Sequence, residues 1–208
     1  MSARTLLHQA DITRALTRIA HEVLESNRGS AGLVLLGIPT RGVLLASRLG
    51  RILADIDPDF DPASVGSIDV TMYRDDLSRK PTRAPAPTSV PPGGIDGTTV
   101  VLVDDVLYSG RTIRAALDAI SDLGRPRAVR LAVLVDRGHR ELPIRADFVG
   151  KNLPSAQHER IFVHLAELDG DDSVSIDSLS TNPASTDPAS TAQVDAAAGS
   201  TTHGRARP

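Results

Sequence analysis

The sequence is organised around one segment, Val100-Val-Leu-Val-Asp-Asp-Val-Leu-Tyr-Ser-Gly-Arg-Thr112. Its apolar start predicts a strand buried in a parallel sheet, and the residues from Gly110 to Leu123 predict the helix that follows. Ser109 and Thr112 then lie at a helix N-terminus, where free backbone N–H groups and the helix dipole attract an anion. We therefore expect a strand–turn–helix unit whose turn holds a phosphate.

Two adjacent acids, Asp104 and Asp105, precede this turn. Carboxylates do not bind phosphate but accept hydrogen bonds from a vicinal diol, so the segment suits a ligand with a phosphate at one end and a ribose behind it. Gly110 lets the backbone close on the phosphate. The alternative is that Ser109 merely caps the helix and the two acids form a solvated turn. Carboxylates at the mouth of a buried strand are costly without partners, which favours the ligand.

Other motifs of nucleotide-binding and hydrolytic sites are missing from the sequence. The segment is neither a Walker loop (Gly-x4-Gly-Lys-Ser/Thr) nor a dinucleotide turn (Gly-x-Gly-x-x-Gly). No Gly-x-Ser-x-Gly elbow surrounds Ser109, which argues against a serine nucleophile. His139 has no second histidine nearby, so we expect no metal site made of protein ligands.

Outside this segment, helical and strand patterns alternate along the chain. Such alternation predicts an α/β fold in which a parallel sheet carries helices on both faces. The proline-rich stretch 74–97 is polar and predicts a long loop, and loops of that length in compact domains are usually functional or mobile. We predict helices over 11–26, 40–54 and 110–123, and strands over 33–38, 67–73, 98–103, 129–135 and 161–165.

Two further strands are followed by charged turns that contain glycine. Gly37-Ile-Pro-Thr-Arg-Gly42 follows the strand predicted at 33–38, and Asp136-Arg-Gly-His-Arg140 follows the strand predicted at 129–135. In parallel sheets, ligands bind outside the carboxyl ends of the strands. We therefore expect these two turns and the Asp104–Thr112 turn to open onto one rim.

Composition narrows the class of protein. The chain has 208 residues and no cysteine, which excludes disulfides, thiolate zinc sites and cysteine nucleophiles. Apolar runs reach only five or six residues, far short of the roughly 20 that cross a bilayer, and no signal-peptide core opens the chain. We expect a cytoplasmic protein with no membrane partner.

The end of the chain differs in composition from the rest. Residues 178–208 are rich in Ser, Thr, Ala, Pro and Asp, with almost no large apolar residue. Such a segment cannot bury enough surface to offset its ordering entropy, so we predict one domain over 1–177 and a disordered tail over 178–208. The formal net charge is −3, and all of it comes from residues 170–208. Net charge therefore argues neither for nor against a nucleic-acid partner.

The segment 100–112 closely resembles the 5-phosphoribosyl-1-pyrophosphate (PRPP) motif of type I phosphoribosyltransferases, and Gly37–Gly42 resembles the pyrophosphate loop of that family. Other stretches resemble one branch, the PyrR family of pyrimidine operon regulators that are also uracil phosphoribosyltransferases. The resemblance spans about residues 5–177 and implies a five-stranded parallel core with a smaller hood made from the chain ends. The stretches that carry it are Ala15-Leu-Thr-Arg-Ile-Ala-His-Glu22, Tyr73-Arg-Asp-Asp-Leu77 and Val135-Asp-Arg-Gly-His-Arg-Glu-Leu-Pro-Ile-Arg-Ala-Asp-Phe-Val-Gly-Lys-Asn152.

The resemblance implies how PRPP is held. Asp104 and Asp105 would bind the ribose hydroxyls, while Thr40 and Arg41 would hold the pyrophosphate through backbone amides and the guanidinium. Arg74 would fold over the pyrophosphate from the long loop. Mg²⁺ would bind mainly through PRPP and water, because magnesium gives up its waters reluctantly. The implied catalytic residues are Arg74, Asp104 and Asp105, and the implied substrate-binding residues are Thr40, Arg41, Asp104, Asp105, Val106, Leu107, Tyr108, Ser109, Gly110, Arg111, Thr112 and Arg137.

The resemblance also implies the reaction, in which N1 of uracil displaces pyrophosphate from C1 of the ribose to give UMP. Purine-specific relatives carry a third acid where this chain has Tyr108, and its loss speaks against hypoxanthine and guanine. Arg137 would contact the nucleotide. The alternative for Arg137 is an ion pair at a strand end.

A second implied activity is UMP-dependent binding to a pyrimidine operon mRNA. Thr17 and His21 share a helix face with Arg18 beside them, although each residue taken singly is typical of a solvated helix surface. A homodimer or higher homo-oligomer with a concave basic face would suit the RNA. The residues that match the family's RNA surface are Thr17, Arg18, His21, Arg140, Arg145 and Lys151.

Three functions stay open at this point. The first is a working uracil phosphoribosyltransferase that also regulates by binding RNA, and the second is a UMP-sensing RNA regulator with little catalysis. The third is a phosphoribosyltransferase for another base, such as xanthine or orotate. Intact Thr40-Arg41 and Arg74 favour the first over the second, because a sensor of UMP alone has no need of a pyrophosphate loop.

Overall fold

The computed structural model describes residues 4–74 and 87–178. The predicted long loop therefore lies partly outside the described residues, over 75–86, and so does the predicted tail from 179 onward. In chain order the strands and helices are β1 (Arg4–His8), α1 (Gln9–Asn27), β2 (Leu33–Gly37), α2 (Arg41–Ile56), β3 (Val65–Ser67), β4 (Thr99–Leu107), α3 (Arg111–Leu123), β5 (Ala128–Asp136), β6 (Phe148–Asn152), β7 (Glu159–His164), α4 (Ala166–Asp169) and β8 (Ser173–Ser178).

A five-stranded parallel sheet of order β3-β2-β4-β5-β6 forms the core. Successive side chains of a strand point to opposite faces, and here both faces are buried. Leu33 and Leu35 of β2 pack with α1 and α2, whereas Val34 and Leu36 pack with α3. The prediction of a parallel sheet with helices on both faces is confirmed.

The register of the core strands brings the three turns to one edge. Gly37 at the end of β2 pairs with Val103 of β4, and Leu107 at the end of β4 pairs with Asp136 at the end of β5. The carboxyl ends of β4 and β5 therefore lie side by side, and β2 ends next to Val103, just before the paired acids of β4. All three turns open toward the same end of the sheet, as the sequence predicts.

Two predicted strands need correction. The strand predicted over 67–73 ends at Ser67, and residues Thr71–Tyr73 form a 3₁₀ turn. The alternation that suggested a strand arises because Ile68 and Val70 are buried from irregular backbone. The strand predicted over 161–165 is β7, which pairs antiparallel with β8 and does not extend the core.

The second sheet is the hood, with the order β1-β8-β7. Its central strand comes from the last described residues and pairs antiparallel with the first strand. Arg48 of α2 attaches the hood to the core, because its guanidinium donates to Glu167 and to Asp172 at 2.5–2.9 Å. Within residues 4–74 and 87–178, no helix is long and apolar enough to cross a membrane.

Candidate active site

Asp104 and Asp105 lie inside β4 and not after it, because that strand continues to Leu107. Asp104 is only 8% exposed, and its Oδ1 accepts a hydrogen bond from the Asp105 amide at 2.9 Å. Burial, and next the charge of Asp105, raise the pKa of Asp104 well above its usual value, although the positive charge of Arg74 opposes this. The site thus holds a buried carboxyl group that retains its proton to a higher pH than a solvated aspartate does.

The predicted phosphate-binding loop, Tyr108–Thr112 (called the phosphate loop below), follows β4 and leads into α3. Gly110 is the N-cap of α3 and has a φ of 92°, a conformation that favours glycine. The alternative that Ser109 is the N-cap is therefore wrong. Gly110 brings no side-chain oxygen to the N-cap, although the Ser109 hydroxyl oxygen accepts a long hydrogen bond of 3.4 Å from the Arg111 amide. A helix start of this kind suits an anion.

Leu107, predicted among the substrate-binding residues, has its side chain in the core and is 1% exposed. Its carbonyl oxygen accepts a hydrogen bond from the Arg137 amide at 3.1 Å. Val106 is half-buried and packs against the core on the side of α1 and α2. Leu107 therefore shapes the loop and presents no side chain to a ligand.

The predicted pyrophosphate loop, Gly37–Gly42 (called the pyrophosphate loop below), contacts the middle of β4, at Val103 and Asp104. The Ile38 amide donates to the Val103 carbonyl at 2.9 Å, and the Pro39–Thr40 peptide bond is cis. A Cβ atom on Gly42 would lie 2.4 Å from the Val103 oxygen and 3.2 Å from the Cα of Asp104. The loop therefore packs directly against the backbone of Val103 and Asp104.

Arg41 was predicted to hold pyrophosphate with its guanidinium, but here that group is paired with the hood. Its Nη2 atom donates to both carboxylate oxygens of Asp169 at 2.9 and 3.0 Å. A hydrogen bond from the Leu165 amide, and then the pair with Arg41, lower the pKa of Asp169. The predicted contact of Arg41 with pyrophosphate would have to displace this carboxylate. Sequence reasoning missed Asp169, which is 128 residues from Arg41 and belongs to no motif.

Arg74 reaches the phosphate loop from the 3₁₀ turn that precedes residues 75–86. Its Nη1 lies 3.3 Å from Oγ1 of Thr112, and its charge acts on Asp104. Among the described residues, the structure brings together Arg74, the paired acids, the phosphate loop and the pyrophosphate loop, as the sequence predicts.

Arg137 lies beneath Tyr108 at the end of β5. It is 6% exposed, its Cζ lies 4.4 Å from the centroid of the Tyr108 ring, and it donates to the Ala156 carbonyl at 3.0 Å. Neither partner is a carboxylate, so a strand-end ion pair is not what the described contacts show. His139 contacts the Ser155 carbonyl and meets the edge of Tyr108, with ring centroids 6.3 Å apart.

Comparison with known proteins identifies the family of the chain. The model of the phosphoribosyl transferase domain matches residues 2–167. A relative named Bifunctional protein PyrR from Leifsonia xyli is 72% identical over 180 residues, which is 85% of this chain and 98% of that protein. The protein of the same name from Streptomyces coelicolor is 64% identical and covers 83% of this chain and 88% of its own length. The chain belongs to the PyrR family.

Solved structures of more distant phosphoribosyltransferases share the fold. A hypoxanthine phosphoribosyltransferase from Staphylococcus aureus superposes with a TM-score of 0.60 at 18% identity, covering 83% of this chain and 90% of that one. The Trypanosoma cruzi enzyme gives 0.63 at 19% identity over 83% and 90% of the two chains. At such identities the likeness shows the fold alone and does not identify the base.

The residues predicted to form an RNA surface fall into two groups. On α1, Arg18 and His21 are exposed and Thr17 is half-buried. Arg18 donates to the carbonyls of Val149 and Gly150 on β6 at 2.9 and 2.7 Å, and the next residue, Lys151, is exposed. The outer face of α1 and the edge strand β6 therefore form one surface.

The second group lies in the turn after β5. Arg145 is exposed. The guanidinium of Arg140 is instead enclosed, with 21% of its side chain exposed and an ion pair of 2.5 Å to Asp136. These contacts favour a structural role for Arg140 over the predicted direct RNA contact.

Proposed function

We propose that this PyrR-family protein converts uracil and PRPP into UMP and diphosphate, and that its UMP-bound form binds pyrimidine operon mRNA. The observation that carries the enzymatic part is the meeting of three groups at one sheet edge: the paired acids, the phosphate loop and the pyrophosphate loop. A protein that only sensed UMP would need the second of these but not the third.

In the proposed complex, Asp104 and Asp105 accept hydrogen bonds from the ribose hydroxyls of PRPP. The amides of the phosphate loop hold the 5-phosphate, aided by the hydroxyls of Ser109 and Thr112. Thr40 lies exposed at the start of α2 and offers its backbone to the pyrophosphate. Arg74 supplies a positive charge to the leaving group, and Arg41 does so once it has exchanged Asp169 for pyrophosphate.

Magnesium fits this site as a partner of PRPP. Within residues 4–74 and 87–178, no cluster of three or more His, Asp or Glu side chains could hold a metal by itself. The paired acids lie next to the proposed positions of the ribose hydroxyls, which suits Mg²⁺ held mainly by PRPP and water. When bound, the ion would neutralise charge on the departing pyrophosphate.

The reaction needs alignment and charge stabilisation more than a strong base. The transition state resembles an oxocarbenium ion, so positioned groups that stabilise the leaving pyrophosphate lower the barrier. Tyr108 stacks on Arg137 where purine-specific relatives carry an acid, and we propose that this pair borders the uracil. The outer face of α1 and β6, with Thr17, Arg18, His21 and Lys151, is the proposed RNA surface, joined by Arg145.

The proposal is tested by measuring product formation from PRPP and Mg²⁺ with each of uracil, orotate, hypoxanthine, guanine and xanthine, and UMP binding in parallel. We expect turnover with uracil alone. No turnover with any base but tight UMP binding would make the protein a nucleotide-gated RNA regulator. Turnover with a different base would refute the choice of uracil and leave the fold assignment intact.

The raised pKa of Asp104 predicts that PRPP binding releases a proton. A carboxyl group accepts hydrogen bonds from the ribose diol best when it is ionised. In the free protein, Asp104 keeps its proton to a higher pH than a solvated aspartate does, because its pKa is raised. PRPP affinity should therefore increase as pH rises through the raised pKa. Calorimetry in two buffers of different ionisation enthalpy measures the number of protons released. The control is Asp104→Asn, which cannot release a proton at this position, whereas any proton released by PRPP itself appears in both proteins. Equal release in both proteins would contradict the prediction.

The assembly state is also a proposal. We propose a homodimer or higher homo-oligomer, since a concave basic face shared between subunits suits a folded RNA loop. Sedimentation velocity with and without UMP measures it, and a monomer at all concentrations would refute it.

A further inference from the structure

We propose that Arg140 is a positioning residue that ties the turn after β5 to the phosphate loop, and that it affects RNA binding only through that loop. The inference rests on the proposed function, because it takes Tyr108–Thr112 as the site of the UMP phosphate. It removes Arg140 from the set of residues expected to contact RNA directly.

The guanidinium of Arg140 is used almost entirely by hydrogen bonds within the protein. Its Nη1 donates to the Tyr108 carbonyl at 2.8 Å and to the Gly138 carbonyl at 3.1 Å. Its Nε donates to the Ile144 carbonyl at 3.0 Å, and its Nη2 donates to the Asp136 carboxylate at 2.5 Å. Four of the five N–H groups of a guanidinium are thus used inside the protein, which leaves little of it for an RNA phosphate.

The acceptors belong to three different segments. Tyr108 opens the phosphate loop, Asp136 ends β5, and Gly138 and Ile144 lie in the turn between β5 and β6. Because a guanidinium is planar with a fixed fork of donors, it can set the relative position of three such segments in a way that a lysine cannot.

Backbone contacts show independently that this turn supports the phosphate loop. The amides of Glu141 and Leu142 both donate to the Ser109 carbonyl, at 3.0 and 3.1 Å. Arg111 adds an ion pair to Glu141 at 2.7 Å. A Cβ atom on Gly110 would lie 3.4 Å from Ile144. The turn therefore packs against the outside of the loop along its length, and Arg140 fixes the turn.

This arrangement links nucleotide binding to the RNA surface. The turn that supports the phosphate loop also carries the exposed Arg145. A ligand shifts a conformational equilibrium only by as much as its affinity differs between the states. UMP held by a properly placed loop therefore favours one placement of the turn, and with it of Arg145. Loss of Arg140 should weaken UMP binding and also the dependence of RNA binding on UMP.

The experiment compares the variants R140Q and R140K with the wild-type protein. UMP affinity is measured by calorimetry, and affinity for a pyrimidine operon RNA is measured over a range of salt concentrations with and without UMP. We expect both variants to bind UMP about tenfold or more weakly, because hydrogen bonds to a charged group are lost. The slope of log K against log salt for RNA binding should stay that of the wild-type protein, since no phosphate contact is removed.

Two other arginines provide matched comparisons. R145Q removes a proposed direct contact and should reduce the salt slope by about 0.7–0.9. R48Q removes an arginine of similar enclosure, 14% exposed and paired with Glu167 and Asp172, but it attaches the hood and should leave UMP affinity unchanged. Loss of UMP affinity in R48Q would show that general loosening, and not positioning, explains the Arg140 variants.

The inference is overturned if R140Q keeps its UMP affinity within about twofold while its salt slope falls as in R145Q. Rescue of RNA binding by R140K would also overturn it, because a lysine can replace an arginine at a simple phosphate contact. If R140Q does not fold, D136A removes the carboxylate that accepts from Arg140, and the same loss of UMP affinity at an unchanged salt slope is expected. Failure of the wild-type protein to bind UMP would instead refute the proposed function.

Discussion

The Asp104→Asn variant is expected to lose about 100-fold or more in kcat/KM for PRPP while keeping its fold. An amide replaces a carboxylate that accepts charge-assisted hydrogen bonds from the ribose, and such contacts in an enclosed site are worth a few kcal/mol. In the wild-type protein, the backbone amide of Asp105 donates to Oδ1 of Asp104 at 2.9 Å. The side-chain oxygen of an asparagine can accept this hydrogen bond in the same way, so the local backbone should be retained. Initial rates of UMP formation at varied PRPP, together with circular dichroism, measure both parts of the prediction.

The pH dependence of the free energy of unfolding gives a second test of Asp104. A carboxyl group whose pKa is raised on folding stabilises the protein below its unfolded pKa, and that contribution is lost as pH rises through the folded pKa. Asparagine does not titrate. The free energy of unfolding of Asp104→Asn, measured in urea, should therefore increase relative to the wild-type protein as the pH is raised above about 4, the pKa of an aspartate in the unfolded chain.

Two further aspartates test the assignment. Asp105→Asn should weaken PRPP binding with the fold retained, and an unchanged PRPP affinity would contradict the role of the paired acids at the diol. Asp55→Asn, on an exposed position of α2, should change neither quantity.

The Gly42→Ala variant is expected to affect both stability and PRPP binding. Its Cβ would lie 2.4 Å from a backbone oxygen of β4, and backbone atoms cannot turn aside as a flexible side chain can. Either α2 or β4 must move, which lowers the free energy of unfolding by about 1–3 kcal/mol or more. Because the contact is beside Asp104, the KM for PRPP should rise at the same time. Chemical denaturation and initial rates measure the two effects.

Gly93→Ala is the matched control for this substitution. A Cβ atom there meets nothing within 4 Å, and the residue has no positive φ. Its effect should stay within about 0.5 kcal/mol. If Gly42→Ala behaved like Gly93→Ala in both assays, the close packing of the pyrophosphate loop against β4 would be wrong.

The centre of the site was predictable because its parts are contiguous in sequence. The apolar run, the paired acids and the Ser-Gly turn of residues 100–112 lie within one segment, and the parallel topology then aligns the neighbouring turns. Local pattern was misleading at Ile68 and Val70, whose alternating burial comes from irregular backbone and not from a strand.

The contacts that the sequence did not reveal join distant segments. Asp169 meets Arg41 across 128 residues, and Arg140 reaches the Tyr108 carbonyl across 32 residues. From sequence alone, an arginine in a family motif suggests a surface contact with a partner. That Arg140 instead donates to backbone carbonyls could not be predicted, because every residue has a carbonyl and none is marked in the sequence. The hood was expected only through the resemblance, because its strands pair residues that are far apart in the sequence, Arg4–His8 with Ser173–Ser178.

The position of β8 between β1 and β7 also sets an order in which the molecule can assemble on the ribosome. The parallel sheet has all its strands once Asn152 has been synthesised, whereas β1, made first, waits for Ser173–Ser178 before it has a partner. The nascent chain can therefore complete the sheet edge that carries the paired acids before Asp169 arrives to pair with Arg41. In that order the hood is added to a sheet that is already complete, and β1, although synthesised before the core strands, is among the last to pair.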